Sequence, residues 1–177
     1  MRIISGSHKG KRLIAPRNLP VRPTTDFAKE GLFNILRNQL ELDEITVLDL
    51  FTGTGNISFE FASRGAVHIT SVDAHYGCVK FVQKIASELE FPITTVKADV
   101  FKFISAQRGS YDVVFCDPPY NFEDEQFEEL VSKIFGNDLI KTGGFLIIEH
   151  SKHTDLSALE HFKEARKYSS SVFSFFA

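Results

Sequence analysis

The stretch Val47-Leu-Asp-Leu-Phe-Thr-Gly-Thr-Gly-Asn56 decides the fold. The apolar, β-branched run at residues 45–50 has the length and composition of a strand that is buried on both faces. It stops at a turn in which Gly53 and Gly55 have no Cβ, so backbone N–H groups can approach a ligand closely. We expect Asn56 to cap the helix that follows. A strand, a glycine turn and a helix in this order form a ligand cradle at the carboxyl end of a parallel strand.

This turn does not have the sequence of a phosphate loop. No Gly-Lys-Ser/Thr follows the glycines, and their spacing differs from the three-glycine dinucleotide pattern. Asp49 lies inside the strand, and a carboxylate there suits a positively charged group on the ligand better than a phosphate. Taken alone, the stretch is also compatible with a strand–turn–helix corner that binds nothing.

The rest of the chain alternates between predicted strands and helices. This alternation predicts an α/β fold of the Rossmann-like type, with a mostly parallel sheet and helices on both faces. The last two strands have no crossover helix between them, so we expect an antiparallel hairpin at the end of the chain. The predicted strands are residues 45–50, 67–72, 92–97, 111–116, 145–149, 163–168 and 172–176. The predicted helices are residues 26–39, 57–63, 76–89, 101–106 and 123–135.

Length and composition indicate one domain with a phenylalanine-rich core, since the 177 residues include eighteen Phe and no Trp. Cys78 and Cys116 form neither a disulfide framework nor a zinc motif, which fits a reducing compartment. His150 and His153 lack a third ligand, and we expect a solvated pair and no metal. No signal peptide or membrane-length apolar run is visible, which predicts a soluble, cytoplasmic protein. We expect it to be monomeric.

The net charge of −3 conceals an asymmetry along the chain. Residues 1–37 carry eight Lys and Arg against two acids, whereas the remainder carries twelve against twenty-one. A basic arm on an acidic body is typical of a nucleic-acid footprint, although a merely solvated basic face gives the same pattern. We therefore divide the chain into a basic extension at residues 1–40, which is expected to dock a nucleic acid, and a main domain at residues 41–177. The candidate nucleic-acid-binding residues are Arg2, Lys9, Lys11, Arg12, Arg17 and Arg22.

The extension is expected to have three parts. Residues 2–5 and 12–15 are two short apolar runs around a glycine-bounded basic tip, which predicts a β-hairpin. Residues 16–23 contain three prolines and are typical of an extended linker. Thr24 or Thr25 then caps a helix. Its expected apolar stripe consists of Phe27, Leu32, Phe33, Ile35 and Leu36.

Acidic residues follow the two strands after the glycine turn. Asp73 lies at the end of the second strand, where a carboxylate accepts hydrogen bonds from both ribose hydroxyls of a nucleoside. A nicotinamide cofactor would use the same acid. Asp99 follows the third strand, where its carboxylate suits an adenine amino group and the N–H of Val100 suits a ring nitrogen. Each acid alone is more often a helix cap or a surface charge. Together with Asp49 of the first strand, however, Asp73 and Asp99 place three acids at successive strand ends, which predicts a nucleoside site.

Asp117-Pro118-Pro119-Tyr120 follows the fourth strand and is the most specific four-residue signal in the chain. Two prolines stiffen a turn that presents fixed groups, although a Pro-Pro pair can simply terminate a strand. The Asp117 carboxylate and the Pro118 carbonyl can each accept one N–H of a planar exocyclic amine. Together they favour a pyramidal nitrogen whose lone pair is free to attack a methyl sulfonium. The Tyr120 ring is suited to stack on an extruded base.

These motifs resemble those of the class I S-adenosylmethionine (SAM) methyltransferases that methylate amines. The N-terminal pattern Arg-Ile-Ile-Ser-Gly-x-x-Lys-Gly-x-x-Leu, followed by Arg-Pro-Thr-Thr-Asp-x-x-x-Glu-x-Leu-Phe-Asn-Ile-Leu, is similar to the RsmD-type 16S ribosomal RNA guanine-N2 methyltransferases. The resemblance covers nearly the whole chain. The matching positions are Asp49, Phe51, Gly53, Gly55, Asp73, Asp99 and Asp117 to Tyr120. The candidate cofactor-binding residues also include Thr54 and Val100.

The resemblance implies a seven-stranded sheet, SAM as methyl donor and no metal. It also implies a guanine of 16S rRNA as the target, the one usually called position 966, in free RNA or in an assembled or partly assembled small subunit. Three alternatives stay open. An adenine-N6 DNA methyltransferase usually adds a target-recognition domain, and a protein glutamine methyltransferase typically has Asn in place of Asp117. The third is a non-catalytic RNA-binding or assembly protein on the same fold.

Overall fold

The computed structural model describes residues 1–21 and 23–177, so the predicted RNA contact of Arg22 lies outside the described residues. The described chain forms five helices and seven strands. The helices are α1 (Asp26–Leu36), α2 (Asn56–Ser63), α3 (Tyr76–Glu88), α4 (Val100–Ala106) and α5 (Asp124–Gly136). The strands are β1 (Thr46–Leu50), β2 (His68–Asp73), β3 (Ile93–Lys97), β4 (Tyr111–Cys116), β5 (Ile140–Ser151), β6 (Phe162–Tyr168) and β7 (Ser171–Phe176).

The strands form one sheet in the order β3-β2-β1-β4-β5-β7-β6. The first five strands of this order are parallel, and β7 is antiparallel to both β5 and β6. The predicted α/β fold and its C-terminal antiparallel hairpin are therefore confirmed. The chain leaves β1 toward β2 and β3, and then returns to β4 on the other side of β1. Ligands of such sheets bind where the strand order reverses, which here is between the carboxyl ends of β1 and β4.

Alternate residues of β1 supply the two faces of the sheet. Leu48 and Leu50 are fully buried in the core against α4 and α5, whereas Val47 packs in the core formed with α1 and α2. The alternation follows from the two-residue period of a strand. Because both faces are covered, a polar residue such as Asp49 in this strand is buried as well, at 1% exposure. The carboxylate of Asp49 therefore needs partners within the protein or a ligand.

The predicted hairpin at the N-terminus is reduced to a single antiparallel bridge between Arg2 and Arg12. Hydrogen bonds from Ile3 N to Lys11 O and from Leu13 N to Met1 O, both 3.0 Å long, extend it on either side. Ile3 and Leu13 are buried in a small core with α2 and α3. The extension is thus held by its apolar side chains as well as by backbone pairing.

A buried ion pair attaches this extension to the first two helices. Lys29 of α1 lies 3.3 Å from the Glu60 carboxylate of α2, and both side chains are almost completely buried. Lys29 Nζ also donates to Arg2 O at 2.6 Å. Glu60 accepts the backbone N–H groups of Ile4 at 2.9 Å and Ser5 at 3.0 Å. Lys29 was counted in the basic arm, but its burial excludes it from any surface charge.

Two other local expectations were wrong. Phe27 is not part of the buried stripe of α1, because 64% of its surface is exposed; its ring makes a T-shaped contact with Tyr168. Asn56 does not cap α2. The cap position belongs to Gly55 in the left-handed region, and Asn56 begins the helix. The Asn56 side chain instead accepts from Lys29 Nζ and donates to Thr24 O, each at 2.8 Å.

Candidate active site

The glycine turn follows β1 in the left-handed backbone region. The φ angles of Phe51, Gly53 and Gly55 are +60°, +55° and +76°. Gly55 cannot be replaced without strain, because a Cβ there would lie 2.8 Å from Val82 and 3.0 Å from the Phe59 ring. Phe51 carries a Cβ in the same region, which costs about 1–3 kcal/mol and is found mainly at functional sites. The turn therefore holds Phe51 in a strained conformation directly after β1.

Asp73 joins the end of β2 to this turn. Its Oδ2 accepts the backbone N–H of Gly53, and its Oδ1 accepts that of His75, both at 2.8 Å. The side chain is half-buried and its carboxylate is fixed by both bonds. An ionised carboxylate has about four acceptor sites, so roughly two stay available to a ligand.

Asp99 follows β3 and has a structural role of its own. It is the N-cap of α4, and its Oδ1 accepts the N–H of Lys102 at 3.0 Å. Its side chain is exposed, whereas Val100, the first residue of α4, is only 3% exposed. This capping hydrogen bond fixes the orientation of the Asp99 side chain beside the site. An acidic N-cap has the same effect in other proteins.

Asp117 directly follows β4 and lies level with the glycine turn. Its backbone N–H donates to Leu50 O at 3.3 Å, which ties the end of β4 to the end of β1. Pro118 is buried, and Pro119 O accepts the N–H of Phe122 at 2.9 Å, which closes the turn. Tyr120 projects from this turn with 80% of its surface exposed. The turn thus combines rigid acceptors with an exposed aromatic ring.

These strand ends surround one cavity of about 540 Å³. Such a volume is typical of small-molecule sites. Its wall includes all the predicted cofactor and catalytic residues except Gly55, whose role is to allow the turn. The wall also includes three residues of the linker and the residue after it, none of which was predicted as a site residue: Pro20, Val21, Pro23 and Thr24.

A second, smaller cavity of about 70 Å³ adjoins the first. The two share Thr24 and the turn formed by residues 117–120. The smaller cavity adds Glu149 and His150 of β5, neither of which was predicted as a site residue. Glu149 is an acid near the end of a parallel strand, which is the pattern that identified Asp73. That pattern is the signal by which it could have been found.

The site is strongly electronegative. The described residues around the larger cavity include four carboxylates, namely those of Asp49, Asp73, Asp99 and Asp117, and no lysine or arginine. Burial raises the pKa of Asp49 to about 6, although hydrogen bonds from Ser58 and Thr52 act in the opposite direction. Burial, followed by repulsion from Glu149 and Asp49, raises the pKa of Asp117 well above its usual value. A cationic ligand would relieve this repulsion, whereas a diphosphate would add to it.

The candidate RNA-binding residues differ in their surroundings. Arg2 pairs with Asp26 at 3.0 Å, so its charge is partly compensated. Lys9, Lys11, Arg12 and Arg17 are exposed. The described part of the extension therefore presents several basic side chains to solvent.

The expectation that His150 and His153 form a solvated pair was wrong for His150. Its ring is buried, its Nδ1 lies 2.9 Å from Ser151 O, and its Nε2 lies 2.8 Å from Ser174 Oγ. Because a carbonyl only accepts, Nδ1 carries the proton and Nε2 accepts the serine hydroxyl. Burial lowers the pKa of His150, which favours this neutral form of the ring. Among residues 1–21 and 23–177 there is no cluster of three or more side chains that would hold a metal ion.

None of the helices in the described ranges has the length and apolar composition needed to cross a membrane.

The comparisons with known proteins agree on one family, to which this chain belongs. A family model described as "Conserved hypothetical protein 95" matches residues 1–177. YlbH of Bacillus subtilis is 33% identical over 164 residues, which cover 88% of this chain and 85% of that protein. A Haemophilus influenzae protein named ribosomal RNA small subunit methyltransferase D is 28% identical over 187 residues, covering 99% of this chain and 91% of that protein. The solved structure of yhhF from Escherichia coli has the same fold, with a TM-score of 0.86 at 24% identity, over 99% of this chain and 96% of that one.

Proposed function

Because the chain belongs to this family of RsmD-type methyltransferases, we propose that it transfers a methyl group from SAM to the exocyclic N2 of a guanine in small-subunit ribosomal RNA. The proposed target is the guanine usually called position 966. One observation carries the proposal. The Asp117–Tyr120 turn lies at the reversal of strand order, beside a cavity lined by acids.

The chemistry of the cavity suits SAM, which supplies an electrophilic methyl group on a sulfonium when bound. SAM carries a sulfonium and an ammonium group, and the carboxylates with raised pKa values favour such cations. Asp73 has free acceptor sites for two ribose hydroxyls. Asp99 and the N–H of Val100 suit the adenine edge. The glycine turn lets the backbone approach the methionine part of the ligand closely.

Asp117 and Pro118 are proposed to hold the target amine. Each contributes one acceptor oxygen, and the two hydrogen bonds draw the nitrogen lone pair out of conjugation with the base. A strong general base is not required, because the amine becomes acidic as its nitrogen is methylated. The exposed Tyr120 ring is available to stack on the extruded base, where stacking is worth about 1–3 kcal/mol.

Replacing Asp73 by alanine is expected to weaken SAM binding by roughly 1.5–3 kcal/mol, because two charge-assisted hydrogen bonds are lost. The glycine turn also loses its tie to β2, which acts in the same direction. Calorimetry with SAM measures the change, and Asp43→Ala, at an exposed site in the loop before β1, is the control. An unchanged affinity would remove Asp73 from the site. Parallel titrations with NAD distinguish the two cofactors, since tight NAD binding without SAM binding would contradict the proposal.

The extension at residues 1–40 is proposed to dock the RNA, and residues 41–177 to carry the chemistry. The acidic body repels RNA, so docking requires a local positive surface. Deleting residues 1–15 would expose the Lys29–Glu60 pair, so charge reversal is the cleaner test. Reversing Lys9, Lys11 and Arg12 to Glu is expected to weaken RNA binding and flatten its salt dependence, with about 0.7–0.9 lost from the logarithmic slope per phosphate contact.

The matched control reverses three other exposed lysines, Lys84, Lys163 and Lys167, which changes the net charge equally. RNA affinity is measured against salt concentration for wild type and both triple variants, and SAM affinity is measured in parallel. SAM affinity is expected to survive in both. Equal slopes for the two triple variants would mean that the arm is only a solvated face.

A further inference from the structure

Glu149 is a buried carboxylate that the proposed chemistry has not used. It lies on β5 opposite Phe173 of β7 and is only 7% exposed. Its side chain lines the small cavity together with Asp117, Pro118 and Tyr120. Asp117 and Glu149 thus border the same cavity of about 70 Å³, and repulsion from Glu149 adds to the effect of burial in raising the pKa of Asp117. Glu149 therefore faces the place where the target base would enter.

The described partners of this carboxylate are hydroxyl groups. Thr24 Oγ1 donates to Glu149 Oε2 at 2.6 Å, and Ser171 lines the same small cavity. An ionised carboxylate that is buried with hydroxyl partners alone stays poorly compensated and retains acceptor capacity. Such a carboxylate can accept a hydrogen bond from a ligand that enters the small cavity.

The backbone of Thr24 is tied to two buried side chains, Asn56 and Lys29. Thr24 O accepts from Asn56 Nδ2 at 2.8 Å, and Asn56 Oδ1 accepts from the buried Lys29 Nζ at 2.8 Å. The chain of bonds runs from the extension through α1 and the start of α2 to β5. These bonds anchor the Thr24 backbone at the position from which its hydroxyl donates to Glu149.

Guanine offers the donor that such a carboxylate needs. Its ring nitrogen N1 carries a proton and is adjacent to the carbon that bears the N2 amine. When Asp117 and Pro118 hold the amine, N1–H points to the same side of the base. Adenine and 2-aminopurine have an unprotonated N1 whose lone pair would repel a carboxylate.

We infer that Glu149 accepts the N1–H of the target guanine and so selects guanine over bases whose N1 is unprotonated. The inference rests on the proposed function, since it assumes that the amine held at Asp117 is guanine N2. It gives Glu149 the role of a base-recognition residue. Burial raises the pKa of Glu149, and the hydroxyls of Thr24 and Ser171 act in the opposite direction.

The test compares two RNA substrates that carry guanine or 2-aminopurine at the target position. 2-Aminopurine keeps the amine at C2 but has no N1–H. Wild type is expected to prefer guanine in kcat/KM by about tenfold or more, a common range for specific base contacts. In Glu149→Ala this preference is expected to shrink at least several-fold. In Glu149→Gln it also shrinks, because the amide oxygen accepts from guanine whereas the amide N–H donates to N1 of 2-aminopurine.

Glu128→Ala, which removes an exposed acid of α5, is the control and is expected to keep the wild-type preference. 2-Aminopurine also lacks the O6 of guanine, but that difference is common to every variant and cancels in the comparison. Calorimetry with SAM shows whether each variant is folded. If Glu149→Ala is not folded, the guanine preference of Glu149→Gln decides the test. An undiminished preference in a folded Glu149 variant would overturn the inference alone. A wild type that methylates neither RNA would overturn the proposed function and the inference with it.

Discussion

Methyl transfer is expected to slow by about 10²–10³-fold when Asp117 is replaced by alanine, while SAM affinity changes by less than about tenfold. The reason is that Asp117 supplies one of the two acceptors proposed to prepare the amine for attack. Its backbone is held by Leu50 O at 3.3 Å, so the loss of the side chain should not displace the turn. The cavity also retains the carboxylates of Asp49 and Asp73 for the cofactor.

The rate is measured in single turnovers with saturating SAM, which separates chemistry from product release. Glu128→Ala removes an acid from the neighbouring helix and should leave the rate unchanged within about twofold, as is usual for surface positions. A rate for Asp117→Ala within a few-fold of wild type would contradict the amine clamp. It would favour the alternative of a turn that merely terminates β4.

Replacing Lys29 by methionine is expected to lower the free energy of unfolding by about 3–5 kcal/mol. Methionine fills the same space, but Glu60 loses one of its two basic partners within a buried site. Arg2 O and Asn56 Oδ1 also lose their donor. A buried charge that loses a partner costs more than the intact pair contributes, so the loss should be large.

Urea denaturation measures this change, and Lys84→Met is the matched control because Lys84 is 70% exposed in its ion pair with Glu88. The control should alter the free energy of unfolding by no more than about 0.5 kcal/mol. A loss below about 1 kcal/mol for Lys29→Met would mean that the pair contributes little. The extension at residues 1–40 would then be more separable from the catalytic domain than its contacts indicate.

The features predictable from sequence are those that are encoded locally. The β1 run, its glycine turn and the acids at the ends of β2, β3 and β4 lie in short stretches with a regular spacing. The parallel order of the strands then brings the acids together, because the carboxyl ends of parallel strands meet at one edge. The fold and the composition of the main cavity follow from this argument.

Contacts between distant residues were not predictable. Nothing in the sequence pairs Lys29 with Glu60, and the charge count therefore assigned Lys29 to the surface. Asn56 is a residue type that is common at helix N-caps, but Gly55 in the left-handed region occupies the N-cap position. The Asn56 side chain bonds to Lys29 and Thr24 instead. Phe27 matched the helical stripe by spacing alone, but 64% of its surface is exposed in the structure.

The most direct test of the central claim is mass spectrometry of small-subunit ribosomal RNA from cells with and without this protein. The proposal predicts one N2-methylguanine that is present in the first sample and absent from the second. Restoring wild type should restore the modification, and restoring Asp117→Ala should not. An identical set of methylated guanines in both samples, or the loss of a methyl group from a different base, would contradict it.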